Sequence, residues 1–211
     1  MKANRGQMEK ALDAPGQGAA ANTRFFLLYG PDEAGSQALA KRLERAMGPQ
    51  AERIDLDAPT LREDPARLSD EAAAFSMFGD KRWIRVNGIG DDCLPALNAL
   101  LDAEAAGNPV IAVAGALKPT SKLAKLALDH KGILACISYQ PDGREAEQIA
   151  IGIARDGGLR LSSDLARRIV DLSGGDRALM AGEIEKLILY LDAAPDRPAE
   201  ATAEALDALS A

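Results

Sequence analysis

The fold is indicated most clearly by residues 24–47, which read RFFLLYGPDEAGSQALAKRLERAM. Phe25–Tyr29 form an unbroken apolar run, which is typical of a strand buried on both faces of a parallel sheet. Gly30 ends the run, and Asp32 and Glu33 can cap a following helix whose apolar residues recur on one face. A strand, a glycine turn and a helix together make the first half of a βαβ unit.

The alternation of strand and helix continues to about residue 139. Four further short runs, rich in Ile and Val, predict strands, and helical segments lie between them. This alternation is typical of an α/β protein with a mostly parallel sheet covered by helices on both faces. The predicted strands are Glu52–Leu56, Arg82–Val86, Pro109–Val113 and Ile133–Ser138, and the predicted helices are Ala66–Phe75, Asp92–Ala106 and Ser121–His130.

The strand pattern stops at the turn signal Gln140–Gly143. Three helical patterns follow, and glycine pairs end the first two of them. We therefore predict an N-terminal helix and linker over residues 1–22, an α/β domain over 23–139, a small helical domain over 140–194, and the start of a further helical region over 195–211. The helices predicted for the helical domain are Arg144–Arg155, Ser162–Leu172 and Asp176–Leu191.

Composition and charge exclude several classes of protein. The 211 residues include 25 basic and 32 acidic side chains, a net charge of −7, whereas a free-standing nucleic-acid binder needs clustered positive charge. No apolar run approaches the roughly 20 residues of a membrane span, and the polar N-terminus lacks the apolar core of a signal peptide. The two cysteines show no metal-ligand spacing and the chain has one histidine, so we expect a cytoplasmic protein without a metal site.

One basic cluster leaves two interpretations open. Lys118, Lys122, Lys125 and Lys131 could face DNA or a partner, but in an acidic chain a solvated helix face is the favoured interpretation.

Residues 30–37, GPDEAGSQ, follow the spacing of the phosphate-binding loop G-x-x-x-x-G-K-[ST]. Gly30 and Gly35 match the pattern, but Ser36 replaces the lysine that neutralises phosphate and Gln37 replaces the hydroxyl that binds magnesium. None of the 19 glycines is followed by lysine. We predict a turn that needs glycine for backbone reasons, with no nucleotide cofactor and no catalytic residues; residual nucleotide binding is the alternative.

Four segments, in this order and spacing, resemble the delta subunit of the bacterial DNA polymerase III clamp loader, in its alphaproteobacterial form. They are FFLLYGPDE, DEAAAFSMFGDKRWIRV, KPTSKLAKLALDHKG and GGDRALMAGEIEKLILYLD, and the resemblance extends from about residue 1 to residue 191. It implies an AAA+-like (RecA-type) five-stranded parallel sheet followed by a three-helix lid domain. Full-length members continue into a helical collar domain, and this chain ends near where that domain would begin.

The resemblance implies a non-catalytic subunit of a DNA-directed DNA polymerase holoenzyme, which is a nucleotidyltransferase complex. Its expected role is to bind the ring-shaped sliding clamp (beta) and open it for loading onto primed DNA. The further partners it implies are the motor (tau/gamma) and delta-prime subunits, provided that the collar is present, and DNA through the assembled loader. Two other functions stay open: an active P-loop ATPase, and a protein-interaction scaffold derived from an ATPase.

The clamp-binding element that the resemblance implies falls on Ser76, Met77 and Phe78, with Phe75 directly before them. These bulky side chains follow a segment of mostly alanine and charged residues, and exposed Met and Phe are adaptable apolar contacts for a partner. The alternative is that Met77 and Phe78 pack back on the sheet beside Trp83.

Overall fold

A computed structural model describes residues 1–75, 81–104, 107–118, 120–141 and 143–209. The chain divides into two compact units, Met1–Tyr139 and Gln140–Ala211. The elements of the first unit are α1 (Arg5–Asp13), β1 (Phe25–Tyr29), α2 (Glu33–Met47), β2 (Glu52–Asp57), α3 (Ala58–Glu63), α4 (Arg67–Ala73), β3 (Arg82–Asn87), α5 (Leu94–Asp102), β4 (Val110–Val113), α6 (Lys122–Asp129) and β5 (Ile133–Ile137), with 3-10 turns at Gly18–Ala20 and Asp91–Cys93.

The first unit is built on a five-stranded sheet in the order β2-β3-β4-β1-β5, with every neighbouring pair parallel. Strands β1 and β4 are buried along their whole length, which is why their sequences are continuously apolar rather than alternating. Strand β2 lies at one edge of the sheet and its sequence, ERIDLD, is charged and largely exposed, as edge strands commonly are. The predicted parallel α/β sheet flanked by helices is confirmed.

Alternate side chains of β1 enter two hydrophobic cores on opposite faces of the sheet. Phe25 and Leu27 pack with helices α3 to α6 on one face, and Phe26 and Leu28 pack with α1 and α2 on the other. Trp83 of β3 is 1% exposed and belongs to the second core, where the Arg53 guanidinium lies 5.5 Å from its ring centre.

Three details of the first unit differ from the sequence-based prediction. Helix α3 was not predicted; Asp57 caps it by accepting a hydrogen bond from the Thr60 amide at 2.9 Å. Helix α4 is shorter than the predicted Ala66–Phe75, since it ends at Ala73 and Ala74 is extended. Residues 1–3 precede the N-terminal helix and pair with Ala135 of β5 through two backbone hydrogen bonds of 2.8 and 2.9 Å.

The second unit contains α7 (Gly143–Asp156), β6 (Leu159–Arg160), α8 (Ser163–Ser173), α9 (Arg177–Tyr190), β7 (Ala199–Glu200) and α10 (Ala203–Leu209). Helices α7, α8 and α9 enclose a core that includes Ala150, Ile169 and Ile184. The prediction that no strand follows the turn at residues 140–143 was wrong, because β6 and β7 pair in parallel. Two-residue strands are too short to give a periodic signal. None of the described helices has both the length and the apolar character that a membrane crossing demands.

Candidate functional site

The predicted partner-binding residues follow helix α4 of the first unit. Leu68 and Ala72 fix this helix to the sheet, because both are fully buried in the core that covers one face. Two residues beyond its end, Phe75 is 96% exposed. A phenylalanine ring left in water is an apolar surface that a partner can bury. Ser76, Met77 and Phe78 lie outside the described residues, and their role stays a prediction.

The end of helix α4 is held by Asn108, which the sequence analysis did not single out. The Asn108 side-chain amide donates to the carbonyls of Glu71, at 3.1 Å, and Ala74, at 2.7 Å. Its backbone amide donates to the Ala72 carbonyl at 3.0 Å. The Glu71 and Ala72 carbonyls belong to the last turn, where helices leave acceptors without partners in the helix itself, and Ala74 directly follows that turn. The signal in the sequence was the pair Asn108-Pro109, a common turn former.

The glycine turn after β1 is closed against the end of β5. Gly30 has φ +133°, and a Cβ atom there would lie 2.2 Å from the Ser138 carbonyl oxygen. The Gly30 amide also donates to the Gly115 carbonyl at 2.8 Å. Glycine is therefore required by backbone conformation and by a close contact between two chain segments.

The N-terminus of helix α2 carries a carboxylate of its own chain. Asp32 is 5% exposed and accepts a hydrogen bond from the Gly35 amide at 2.7 Å. Ser36, in the position of the phosphate-binding lysine, is 1% exposed and its hydroxyl donates to Ser138 Oγ at 3.0 Å. Gln37 accepts a hydrogen bond from Arg85 of β3. A carboxylate at this helix end disfavours phosphate binding by charge repulsion, and the turn contains no lysine that would offset the repulsion.

Of the two acidic residues that follow β3, Asp91 caps a helix and Asp92 forms an ion pair. Asp91 accepts hydrogen bonds from the Ser121 hydroxyl at 2.6 Å and from the amides of Lys122 at 3.1 Å and Leu123 at 2.9 Å. It therefore caps α6, not the helix that follows it in sequence. Asp92 pairs with Arg62 at 3.1 Å. The Leu123 amide, then the Ser121 hydroxyl and the Lys122 amide, lower the pKa of Asp91 by stabilising its charged form.

We expect Asp91→Asn to lower the urea midpoint of unfolding at pH 7, because the amide replaces the carboxylate that accepts all three hydrogen bonds. Asp91 has a lower pKa in the fold than in the unfolded chain, so its contribution is complete above the unfolded value of about 3.9 and disappears as pH falls through the folded value. The difference between parent and variant should therefore shrink below about pH 4. Glu63→Gln, at an exposed acidic residue of the same unit, is the control. A difference that is constant from pH 7 to pH 3 would contradict the capping role.

The four lysines of the basic cluster, Lys118, Lys122, Lys125 and Lys131, are all exposed. Within the part of the chain that the structure describes, none of them forms an ion pair with a carboxylate. Over the same ranges, no group of three or more His, Cys, Asp or Glu side chains is placed to hold a metal ion.

No family model matches the chain. It is 26% identical over 176 residues to a probable DNA polymerase III subunit delta of Rickettsia prowazekii, an alignment that covers 82% of this chain and 52% of that protein. The chain thus spans about half the length of this curated relative.

Solved structures share the fold. The DNA clamp loader delta protein of Bacillus subtilis has a TM-score of 0.59 and 18% identity, covering 96% of this chain and 61% of that one. A RuvB variant of Thermotoga maritima has a TM-score of 0.56 and 12% identity, covering 97% of this chain and 66% of that one. The fold is therefore AAA+-like, and the sequence resemblance to the clamp-loader subunits is confirmed. By sequence and by fold, this chain is similar to the delta subunits of bacterial DNA polymerase III clamp loaders.

Proposed function

We propose that this chain binds the sliding clamp of the replicative DNA polymerase and opens its ring, without catalytic activity of its own. The observation that carries the proposal is the exposure of Phe75 at the held end of helix α4. The family resemblance implies a clamp-binding element at Ser76, Met77 and Phe78, with Phe75 directly before it. A relative named as a DNA polymerase III delta subunit supports the same assignment.

The glycine turn supports a role that does not depend on nucleotide hydrolysis. Asp32 already accepts the Gly35 amide hydrogen bond, and Ser36 is buried against Ser138. Ring opening then depends on a difference in affinity between the open and closed forms of the clamp. A subunit that binds the open form more tightly shifts the ring toward that form. The motor and delta-prime subunits, DNA bound through the assembled loader, and a cytoplasmic location belong to the same proposal.

Binding and ring opening can be measured separately with the purified chain. We expect saturable binding to the clamp of the same organism by biolayer interferometry. We also expect faster release of that clamp from nicked circular DNA, since an open ring can leave a circle. The control is a clamp whose ring is kept closed by engineered disulfides across its interfaces. This chain should bind the closed clamp but should not release it from the circular DNA.

Each outcome tests a different part of the proposal. Binding without accelerated release would overturn ring opening, and a folded chain that does not bind would overturn the whole proposal and favour a general interaction scaffold. Calorimetry with Mg-ATP should give no saturable heat, because the turn lacks the phosphate-binding lysine. Micromolar nucleotide binding would instead favour the P-loop ATPase.

A further inference from the structure

Asn108 joins two parts of the first unit that are far apart in sequence. Its three hydrogen bonds reach the carbonyls of Glu71, Ala72 and Ala74, three of the four residues immediately before the exposed Phe75. One residue thus supplies donors to two carbonyls of the last turn of helix α4 and to the residue that follows the helix. Such bonds determine where the chain leaves the helix and in which direction it continues.

Asn108 is itself fixed by the centre of the sheet. Pro109 follows it and restricts the Asn108 backbone to extended conformations. The Pro109 carbonyl accepts a hydrogen bond from the Ile84 amide of β3 at 3.0 Å. Strand β4 begins at the next residue, Val110, and lies between β3 and β1. The backbone at Asn108 is therefore anchored directly beside a central strand of the sheet.

A second contact fixes the same helix end. Glu71 of α4 forms an ion pair with Arg82 at the start of β3, and the two side chains are 14% and 11% exposed. Arg82 Nε also lies 3.3 Å from Glu52 Oε2 of strand β2. The contacts made by Asn108 and Arg82 involve only residues that precede Phe75, and Phe75 itself is 96% exposed. The structure thus combines a tightly held helix end with an exposed apolar residue directly after it.

We propose that Asn108 is a positioning residue for clamp binding, which holds the exposed Phe75 beyond helix α4 in the orientation that the clamp accepts. This inference rests on the proposed function. A residue that is already held loses less conformational freedom when it binds, so the affinity is higher than with a freely moving one. Without the Asn108 side-chain amide, the helix end frays and the binding orientation is adopted only part of the time.

The test compares clamp affinities of folded proteins. Asn108→Asp keeps the size of the side chain but removes both N–H donors, and we expect it to weaken clamp binding about tenfold, as when the competent orientation falls to about one tenth of the population. Amide hydrogen exchange should accelerate at residues 71–75 and stay unchanged in strands β1 and β4. Asn4→Ala is the matched control, because the Asn4 side chain caps helix α1; it should leave clamp affinity unchanged.

Failure of this inference can be told from failure of the proposed function. A parent chain that does not bind the clamp overturns the proposed function. A parent that binds, together with an Asn108→Asp variant of equal affinity, overturns the positioning role even if hydrogen exchange is faster. If the aspartate variant does not fold, Asn108→Ala removes the same donors without placing a carboxylate against carbonyl oxygens, and the same two results decide.

Discussion

Replacing Met77 and Phe78 together with alanine is expected to weaken clamp binding at least about 100-fold. Two apolar side chains at the centre of an interface each contribute about 2 kcal/mol or more, and about 2.7 kcal/mol already corresponds to 100-fold in Kd. Biolayer interferometry of parent and double variant measures the change, and circular dichroism verifies that both are folded. Phe75→Ala alone should have a smaller effect, since the resemblance places this residue just before the element.

The second unit offers a matched control for this experiment. Leu189 of α9 is an apolar residue that is 73% exposed, so Leu189→Ala removes exposed apolar surface outside the proposed site. Its clamp affinity should equal that of the parent. Clamp binding that survives in the Met77→Ala/Phe78→Ala variant would keep the function and move the contact elsewhere. Equal losses in the double variant and the control would point to nonspecific hydrophobic adhesion.

Gly30→Ala is expected to destabilise the first unit by about 3 kcal/mol or more. The left-handed φ of +133° costs any other residue about 1–3 kcal/mol. The new methyl group would also lie 2.2 Å from the Ser138 carbonyl oxygen, and forcing extra atoms into a closed site costs a further 1–3 kcal/mol or so. Thermal unfolding should show a fall in Tm of roughly 10 °C for a chain of this size.

Gly48 separates the two causes of that loss. It also has a positive φ, +96°, but a Cβ atom there would meet nothing within 4 Å. Gly48→Ala should therefore cost only about 1–3 kcal/mol, from backbone conformation alone. Equal losses at Gly30 and Gly48 would show that the approach of the turn to Ser138 is not what requires glycine.

The parallel sheet could be predicted from the sequence because its signals are local. The apolar run Phe25–Tyr29 and the glycine that follows it define strand, turn and helix without knowledge of any partner strand. The strands β6 and β7 could not be predicted in the same way. Each has two residues, and their pairing joins Leu159 to Ala199 across forty positions of sequence. Long-range pairing of this kind leaves no periodic pattern.

The candidate site was predictable only in part, for a similar reason. The order of bulky residues after helix α4 is visible in the sequence, but the exposure of Phe75 depends on where the helix ends. That end is held by Asn108, more than thirty residues away. Asp91 is a second example. Its position in the sequence suggests a cap for the adjacent helix, but its carboxylate caps the N-terminus of α6. Partners of polar side chains are decided by the tertiary fold.

The burial of Ser36 against Ser138 has an evolutionary consequence. A lysine at position 36 would place an ammonium group where the present side chain is 1% exposed, and burying an unpaired charge is costly. Asp32 would still occupy the Gly35 amide. A phosphate-binding loop at this turn would thus require coordinated changes at positions 32 and 36. Single substitutions are therefore not expected to create such a loop in this sequence or its descendants.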